Sequence, residues 1–362
     1  MKKFLRAGIG SIVLCVTASC AGSAGSLNRD IDAIIASNGA THGIPAQAVV
    51  VMRNGKVVYQ RSAGTRSMTA GGGVDADTVF PIFSVGKLFI ATLVFEQVEA
   101  GTIDLDSAAS RYVKGMPPAW SDTTVRQFLS QVSGIPDFFD PNELTKPFPV
   151  SRGAMFEKLR DVPLVEAPGT RSRYTLTNTV VLCAILEAVT GKPVEDLVRQ
   201  RLIDRLKLRN VWLDQADVPA NRLVASYHSE GGALVPDQRI AWPDYARTFS
   251  DVHATAGDLA RFLDAVANGF FVRQSKLDQL WRPYAFANGN TGIFASAWEY
   301  GESGSWREVG HDGGAKLRVR ILFRPDSPDR WTIVYLTNGN RDNVWSRTLL
   351  ESVQRQFVSS GQ

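Results

Sequence analysis

The sequence predicts an α+β fold: an antiparallel sheet built from both ends of the chain, flanked by helices, with a mainly helical region inserted between. Three observations carry that expectation. Two β-rich runs joined by a turn dipeptide lie near the start, two more lie near the end, and residues 91–249 between them read as helices and loops.

Asn28 to Asn38 places Ile31, Ile34 and Ile35 on one helical face, and Gly39 follows as a stop. In AVVVMRNGKVVYQ, Ala48 to Gln60, two β-rich runs meet at Asn54-Gly55, the pair a type I′ hairpin turn needs because both central residues take positive φ. Gly71-Gly72-Gly73 then makes a flexible loop before Phe80. Apolar residues recur at helical spacing from Lys87 to Ala100, and Gly101 ends that helix. TVVLCAILEAVTGKP, Thr179 to Pro193, is a helix stopped by Gly191, and Thr255 to Gly269 begins on a capping residue and ends on glycine. Lys316 to Arg324 alternates Val319, Ile321 and Phe323 against Arg318, Arg320 and Leu322; PDSPD turns the chain, and RWTIVYLTN is a second strand. Val344 to Phe357 closes the chain as a helix, so the sheet draws on residues of about 25–90 and 250–362.

At 362 residues and 44% hydrophobic, the chain can bury a substantial core. The first residues carry a basic segment, an apolar run of about a dozen residues and then small residues, the pattern of an export signal. It is too short for a membrane span. Expected cleavage follows Ala21 or Ala24, leaving a mature domain from about residue 25 to 362; the alternative is cleavage before Cys20, which would then carry a lipid anchor and make the only membrane link. Losing Lys2, Lys3 and Arg6 lowers the formal net charge from +4 to +1, so no basic surface for nucleic acid is implied. The protein is therefore expected to be exported, periplasmic or secreted. Of three cysteines only Cys183 stays in the mature domain in every case, in an apolar run that suggests burial and inertness, so no disulfide framework is available.

The candidate chemistry starts at FPIFSVGK, where Ser84 and Lys87 stand three apart at the start of a helix. With 27 serines and 11 lysines in 362 residues, about one Ser-x-x-Lys arises by chance. The context adds more, because residues three apart share a helical face and a helix start favours a developing negative charge. Apolar flanks Phe80, Ile82, Phe83 and Leu88 to Ile90 would lower the lysine's pKa enough for it to act as a base. A capping serine followed by a surface lysine remains the competing reading at this point.

FPIFSVGKLFIATLVFEQVEAGTIDLD, FLSQVSGIPDF, APGTRSRYTLTNTVVLCAILEAVTGKP and GHDGG, in this order from about residue 45 to 340, resemble the serine β-lactamase-related family. That family holds class C β-lactamases, D-alanyl-D-alanine carboxypeptidases and esterases of the β-lactamase/transpeptidase-like fold. The resemblance implies an acyl-enzyme at Ser84, with Lys87 and Tyr174 sharing the acid and base roles. It places His311 in the third element, His311-Asp312-Gly313, on a strand edge beside the nucleophile. Glycine there permits close approach to an acyl group, and we assign the oxyanion hole to the backbone N–H groups of Ser84 and Gly314, with Gly313 lining the substrate site. Without the family, Tyr174 would read as a structural tyrosine and His311 as a loop histidine.

The chain departs from the family pattern at one position. Leu176 stands where the family's Tyr-x-Asn has asparagine, a side chain that orients the lysine and the amide of a substrate. This puts efficient amide and β-lactam hydrolysis in question and makes ester cleavage the natural expectation. Asn178, two residues on, is the candidate replacement. Arg318 and Arg320 could receive a substrate carboxylate, although their alternation with Val319 and Ile321 favours a solvated strand face. The expected partner is a small-molecule or peptidoglycan-derived substrate: an ester, a D-amino-acid peptide or a β-lactam. Competing with a hydrolase are a penicillin-binding or sensor protein that does not turn over, and an acyltransferase. No cofactor is expected; the four histidines lack metal-ligand spacing and there is no nucleotide-binding glycine loop.

Overall fold

The structure is a computed structural model that describes residues 19–359 apart from 144, 145 and 326, with backbone alone for 19–27, 358 and 359. Most of the expected export segment, Cys15 included, thus lies outside the described residues. Helix α1 spans Ser19–His42, extending back from the expected Asn28 through small residues that carry no apolar period. No helix among the described residues is long and apolar enough to cross a membrane.

Strands β1 (Ala46–Arg53) and β2 (Lys56–Ser67) form the expected hairpin, with Asn54 at φ 49° and Gly55 at φ 82° in the turn. The short strand β3 (Gly71–Gly73) adds to its edge in place of the expected loop. Helices α2 (Lys87–Glu99), α3 (Leu176–Thr190), α4 (Asp244–Ser250) and α5 (Ala256–Ala267) follow in the middle of the chain. The C-terminal part supplies β4 (Phe294–Ala295), β5 (Trp298–Ser303), β6 (Trp306–Asp312), β7 (Arg318–Phe323), β8 (Arg330–Thr337) and helix α6 (Ser346–Ser359).

The eight strands make one antiparallel sheet in the order β3-β2-β1-β8-β7-β6-β5-β4, so the first hairpin is seated against the last strand. Both faces are covered. Val49, Val51, Ile333 and Tyr335 pack against Ile31 and Ile35 of α1 and Leu349, Leu350 and Val353 of α6. Ala48, Val50, Val334 and Leu336 belong to the larger core, with Phe89 and Ile90 of α2, Val180 and Val181 of α3 and Leu259 and Phe262 of α5. Burial on both faces explains why β1 and β8 read as continuous apolar runs rather than alternations.

One sequence expectation is corrected by this covering. Arg318 and Arg320 of β7 are not a solvated face; both are buried. Arg318 Nη1 lies 2.7 Å from Asp312 Oδ2, while Arg320 Nη2 bridges Glu299 Oε2 at 2.5 Å and Asp312 Oδ1 at 3.0 Å. Ser346 at the start of α6 donates to Asp312 Oδ2 from above. Gly310, opposite Arg320 in the register, leaves room for that side chain. Both guanidinium groups are engaged inside the protein and are not placed to receive a substrate carboxylate.

Candidate active site

Ser84 sits in a single 3-10 turn, Phe83–Gly86, that runs directly into α2. A small sheet holds the approach to this turn: Phe80–Pro81 pairs with His253–Ala254, and Ile82 N–H donates to Val252 O at 2.8 Å. Phe83, just before the serine, has φ 49°, a left-handed conformation that costs a non-glycine residue energy and persists where the surroundings enforce it. The turn then presents Ser84 Oγ to Lys87, whose Nζ donates to it at 3.0 Å. Tyr174, 90 positions later, donates its hydroxyl to the same Oγ at 2.8 Å. A spacing expected by chance therefore resolves into a three-group cluster.

Lys87 is only 2% exposed, with its ammonium against the rings of Tyr174 and Phe249 at 5.2 and 5.3 Å. Burial pulls its pKa from the ordinary lysine value down to about 7, with the Asp137 carboxylate opposing the shift. A large fraction of Lys87 is thus a neutral amine near neutral pH. Tyr174 as a residue is 40% exposed, while its hydroxyl is bonded to Ser84 Oγ. Burial of that hydroxyl pushes the phenol well above its ordinary value, so it remains a proton donor throughout the neutral range.

The end of β6 forms the opposite wall. A Cβ on Gly313 would come within 2.8 Å of Ile82 O and 2.6 Å of Leu317 Cδ1, and one on Gly314 within 3.0 Å of the Phe83 ring. The backbone clash makes glycine necessary at 313 for the strand end to press against the serine's turn, whereas at 314 a Cβ would require the Phe83 ring to shift by a few tenths of an ångström. Neither Ser84 N–H nor Gly314 N–H donates to a backbone carbonyl among the described residues. We expect Gly313→Ala to lower kcat/KM by about 100-fold or more, the scale of a lost oxyanion donor; unchanged kinetics in a folded variant would contradict this tight apposition.

His311 lies in β6 but is 3% exposed, with its ring 5.8 Å from that of Tyr174 and 6.1 Å from that of Phe294. Its Nδ1 donates to Asp312 O at 2.6 Å. Burial lowers its pKa against the pull of Glu299, which keeps the imidazole neutral. It backs Tyr174 rather than lining open cleft.

Among the described residues no hydrogen bond joins Leu176 or Asn178 to Ser84, Lys87 or Tyr174. Helix α3 begins at Leu176, earlier than expected, because Thr175 caps it by accepting the Asn178 N–H at 3.2 Å. Leu176 enters the core, and Asn178 is fully buried with both ends of its amide engaged. Its Oδ1 accepts from Ser133 Oγ and its Nδ2 donates to Gln131 Oε1. Asn178 is thus a structural residue, which corrects its assignment as a substrate ligand or a replacement for the family asparagine.

Sequence reasoning did not single out two residues of the 131–137 loop. Gln131, at φ 57°, holds the backbone on both sides of Tyr174: its carbonyl accepts the Arg173 N–H at 2.7 Å and its side chain accepts the Thr175 N–H at 3.0 Å. Asp137 accepts from the N–H groups of Leu176 and Thr177 at 3.0 and 3.2 Å. The available signal was polar side chains in an otherwise apolar, glycine- and proline-marked run, SQVSGIPD. Gln131→Ala leaves buried donors of Thr175 and Asn178 unpaired, so we expect a stability loss of about 2–4 kcal/mol. Thermal melts check this, and a kcat that falls without a matching rise in KM would show that Tyr174 has lost its position.

A serine hydroxyl held between a buried amine and a phenol, on an antiparallel sheet with a helical insertion, defines a serine hydrolase. The chain belongs to the beta-lactamase family, whose model matches residues 31–351. It is 22% identical over 336 residues to penicillin-binding protein 4* of Bacillus subtilis, covering 84% of this chain and 71% of that protein. It is 24% identical over 306 residues to esterase EstB of Burkholderia gladioli, covering 74% and 77%. Its fold matches D-amino acid amidase from Ochrobactrum anthropi with a TM-score of 0.75 at 22% identity, over 93% of this chain and 100% of that one. The family and the α+β fold are those the sequence motifs implied.

Proposed function

We propose that this protein hydrolyses carboxylic esters through an acyl-enzyme on Ser84. In this reading Ser84 Oγ bonds to the ester carbonyl carbon while its proton passes to neutral Lys87 Nζ. The carbonyl oxygen takes up the displaced electron pair and is met by the N–H groups of Ser84 and Gly314. The C–O bond to the alcohol then breaks, the departing alkoxide takes a proton from Tyr174, and Lys87 returns a proton to the phenol. Water repeats the sequence on the acyl group, releasing the carboxylic acid and restoring Ser84.

The observation that carries the choice of esters is the placement of Leu176 and Asn178. Leu176 is buried, Asn178 is engaged with Ser133 and Gln131, and among the described residues Lys87 Nζ is bonded to Ser84 Oγ and to no side-chain amide. An ester asks less of the site because alkoxide is the better leaving group. The test compares p-nitrophenyl butyrate, a chromogenic β-lactam and a D-alanyl-D-alanine peptide on wild type and Ser84→Ala. We expect Ser84-dependent ester turnover with kcat/KM at least about 1000-fold above the other two, a difference of about 4 kcal/mol in barrier. Comparable turnover of peptide or β-lactam would overturn the ester reading, and stable β-lactam labelling without any turnover would support a sensor.

The N-terminal pattern supports export of the chain. The intact mass of protein recovered outside the cytoplasm is expected to place the mature N-terminus after Ala21 or Ala24, or at a lipidated Cys20. Recovery of the uncleaved chain in the cytoplasm alone would argue against it.

A further inference from the structure

The Gly314 N–H assigned to the oxyanion hole belongs to the turn 313–317, which joins β6 to β7. Ala315 and Lys316 in this turn have φ 50° and 62°. Neither is glycine, so both left-handed conformations are strained and persist only where the surroundings impose them. Within the turn, Gly313 N–H donates to Leu317 O at 3.0 Å and Leu317 N–H donates to Gly314 O at 3.3 Å. Thr337 Oγ1 of β8 donates to Ala315 O from the side.

The two residues that close this turn are Asp312 and Arg318, which stand opposite each other in the register of β6 and β7. Arg318 Nη1 donates to Asp312 Oδ2 at 2.7 Å. Arg318 is buried and, among the described residues, pairs with no other carboxylate. The same Oδ2 accepts from Ser346 Oγ at 2.9 Å, and Oδ1 accepts from Arg320 Nη2 at 3.0 Å. The Asp312 N–H donates to Glu299 Oε1 at 3.2 Å. Backbone and side chain of one residue are thereby held from β5, β7 and α6. The register puts Asp312 on the sheet face shared with Leu322, which packs with α6, while His311 turns to the other face against Tyr174. The carboxylate therefore braces the strand end from behind.

An oxyanion donor works by being in place before charge develops, and a displacement of about 1 Å can cost about 100-fold in rate. A strained turn relaxes when its closing pair is lost. We infer that Asp312 is a positioning residue, whose carboxylate closes the 313–317 turn through Arg318, Arg320 and Ser346 and so holds the Gly314 N–H at the reacting carbonyl oxygen. The inference rests on the acyl-enzyme at Ser84 proposed above and not on the choice of esters.

The test follows p-nitrophenyl butyrate hydrolysis by Asp312→Asn, in which an amide has only one oxygen for three converging donors. Attack by Ser84 and attack by water both pass through an oxyanion, so kcat should fall about 10- to 100-fold whichever step limits. KM should stay within about threefold of wild type. Should that variant melt early because Arg318 has lost its partner, Ser346→Ala removes one donor and leaves the ion pairs. Its kcat should fall by about three- to tenfold. Val353→Ala, a buried position of α6 in the core on the same face of the sheet, is the control: it should lower the melting temperature and leave kcat unchanged. An unchanged kcat in either folded variant overturns the inference, as does a loss that falls on KM instead or an equal loss of kcat in Val353→Ala. If wild type turns over the β-lactam or the peptide in place of the ester, the ester reading fails and the same variants on that substrate decide this inference. Absence of turnover on all three removes both.

Discussion

Replacing Ser84 with alanine is expected to lower kcat/KM on an activated ester by about 10⁴-fold or more, the scale seen when a catalytic nucleophile is deleted. The loss should fall on the chemical step. Alanine removes Oγ, the common acceptor for Lys87 and Tyr174, but leaves the turn and the start of α2 without a steric reason to move. The melting temperature should therefore change by only a few degrees while turnover disappears. Intact mass after reaction with an acylating substrate should show an adduct on wild type and none on the variant. Residual activity within tenfold of wild type would place the nucleophile elsewhere.

Lys87→Met should separate catalysis from stability, because the two are expected to move in opposite directions. Removing the general base costs about 10²–10⁴ in rate. In wild type only the neutral amine accepts the Ser84 proton, so kcat/KM should rise as pH increases through about 7 and then level off; the variant should lose that inflection. For stability the sign is set by proton uptake. The unfolded chain keeps the lysine proton up to about 10.5, whereas the folded chain releases it near 7. Between these values the unfolded state binds more protons, so wild-type stability climbs with pH. Methionine fills the buried space without that penalty, so the variant should melt at a higher temperature than wild type at pH 7, and the gain should fade as pH approaches 10.5. A variant that is both inactive and less stable at pH 7 would mean that Lys87 is charged and well paired in the folded protein.

What could be read from the sequence follows what is local. Asn54-Gly55 announces its turn because two positive φ values demand those residues, and Gly191 marks the end of α3 for the same steric reason. The joining of the two chain ends in one sheet followed from strands lying at both ends of the sequence. Strands β5 and β6 were harder to see, since YGESGSWREVGHDGG hides its alternation behind glycines and charges that pair across strands. Arg318 and Arg320 misled for a related reason: alternation shows two faces but not what covers each, and α6 comes from farther along the chain. At the site, Ser84 and Lys87 were visible as a local pair, and Tyr174 and His311 only through the ordered family motifs. The loss of asparagine at Leu176 was legible as a substitution. That Asn178 cannot replace it required seeing Gln131 and Ser133 beside it.

The seating of the first hairpin against the last strand also bears on how the chain reaches its native state. Ala46 N–H is bonded to the side chain of Asn338, 292 positions away, and β1 pairs along its length with β8. Contacts of such long sequence separation make folding slow and late. During synthesis, the centre of the sheet stays open until the last strand has emerged from the ribosome, so a nascent chain lacking it has no partner for one edge of β1. For a chain exported as proposed above, this topology is itself a delay: the order of the strands withholds the centre of the sheet until β8 has been made.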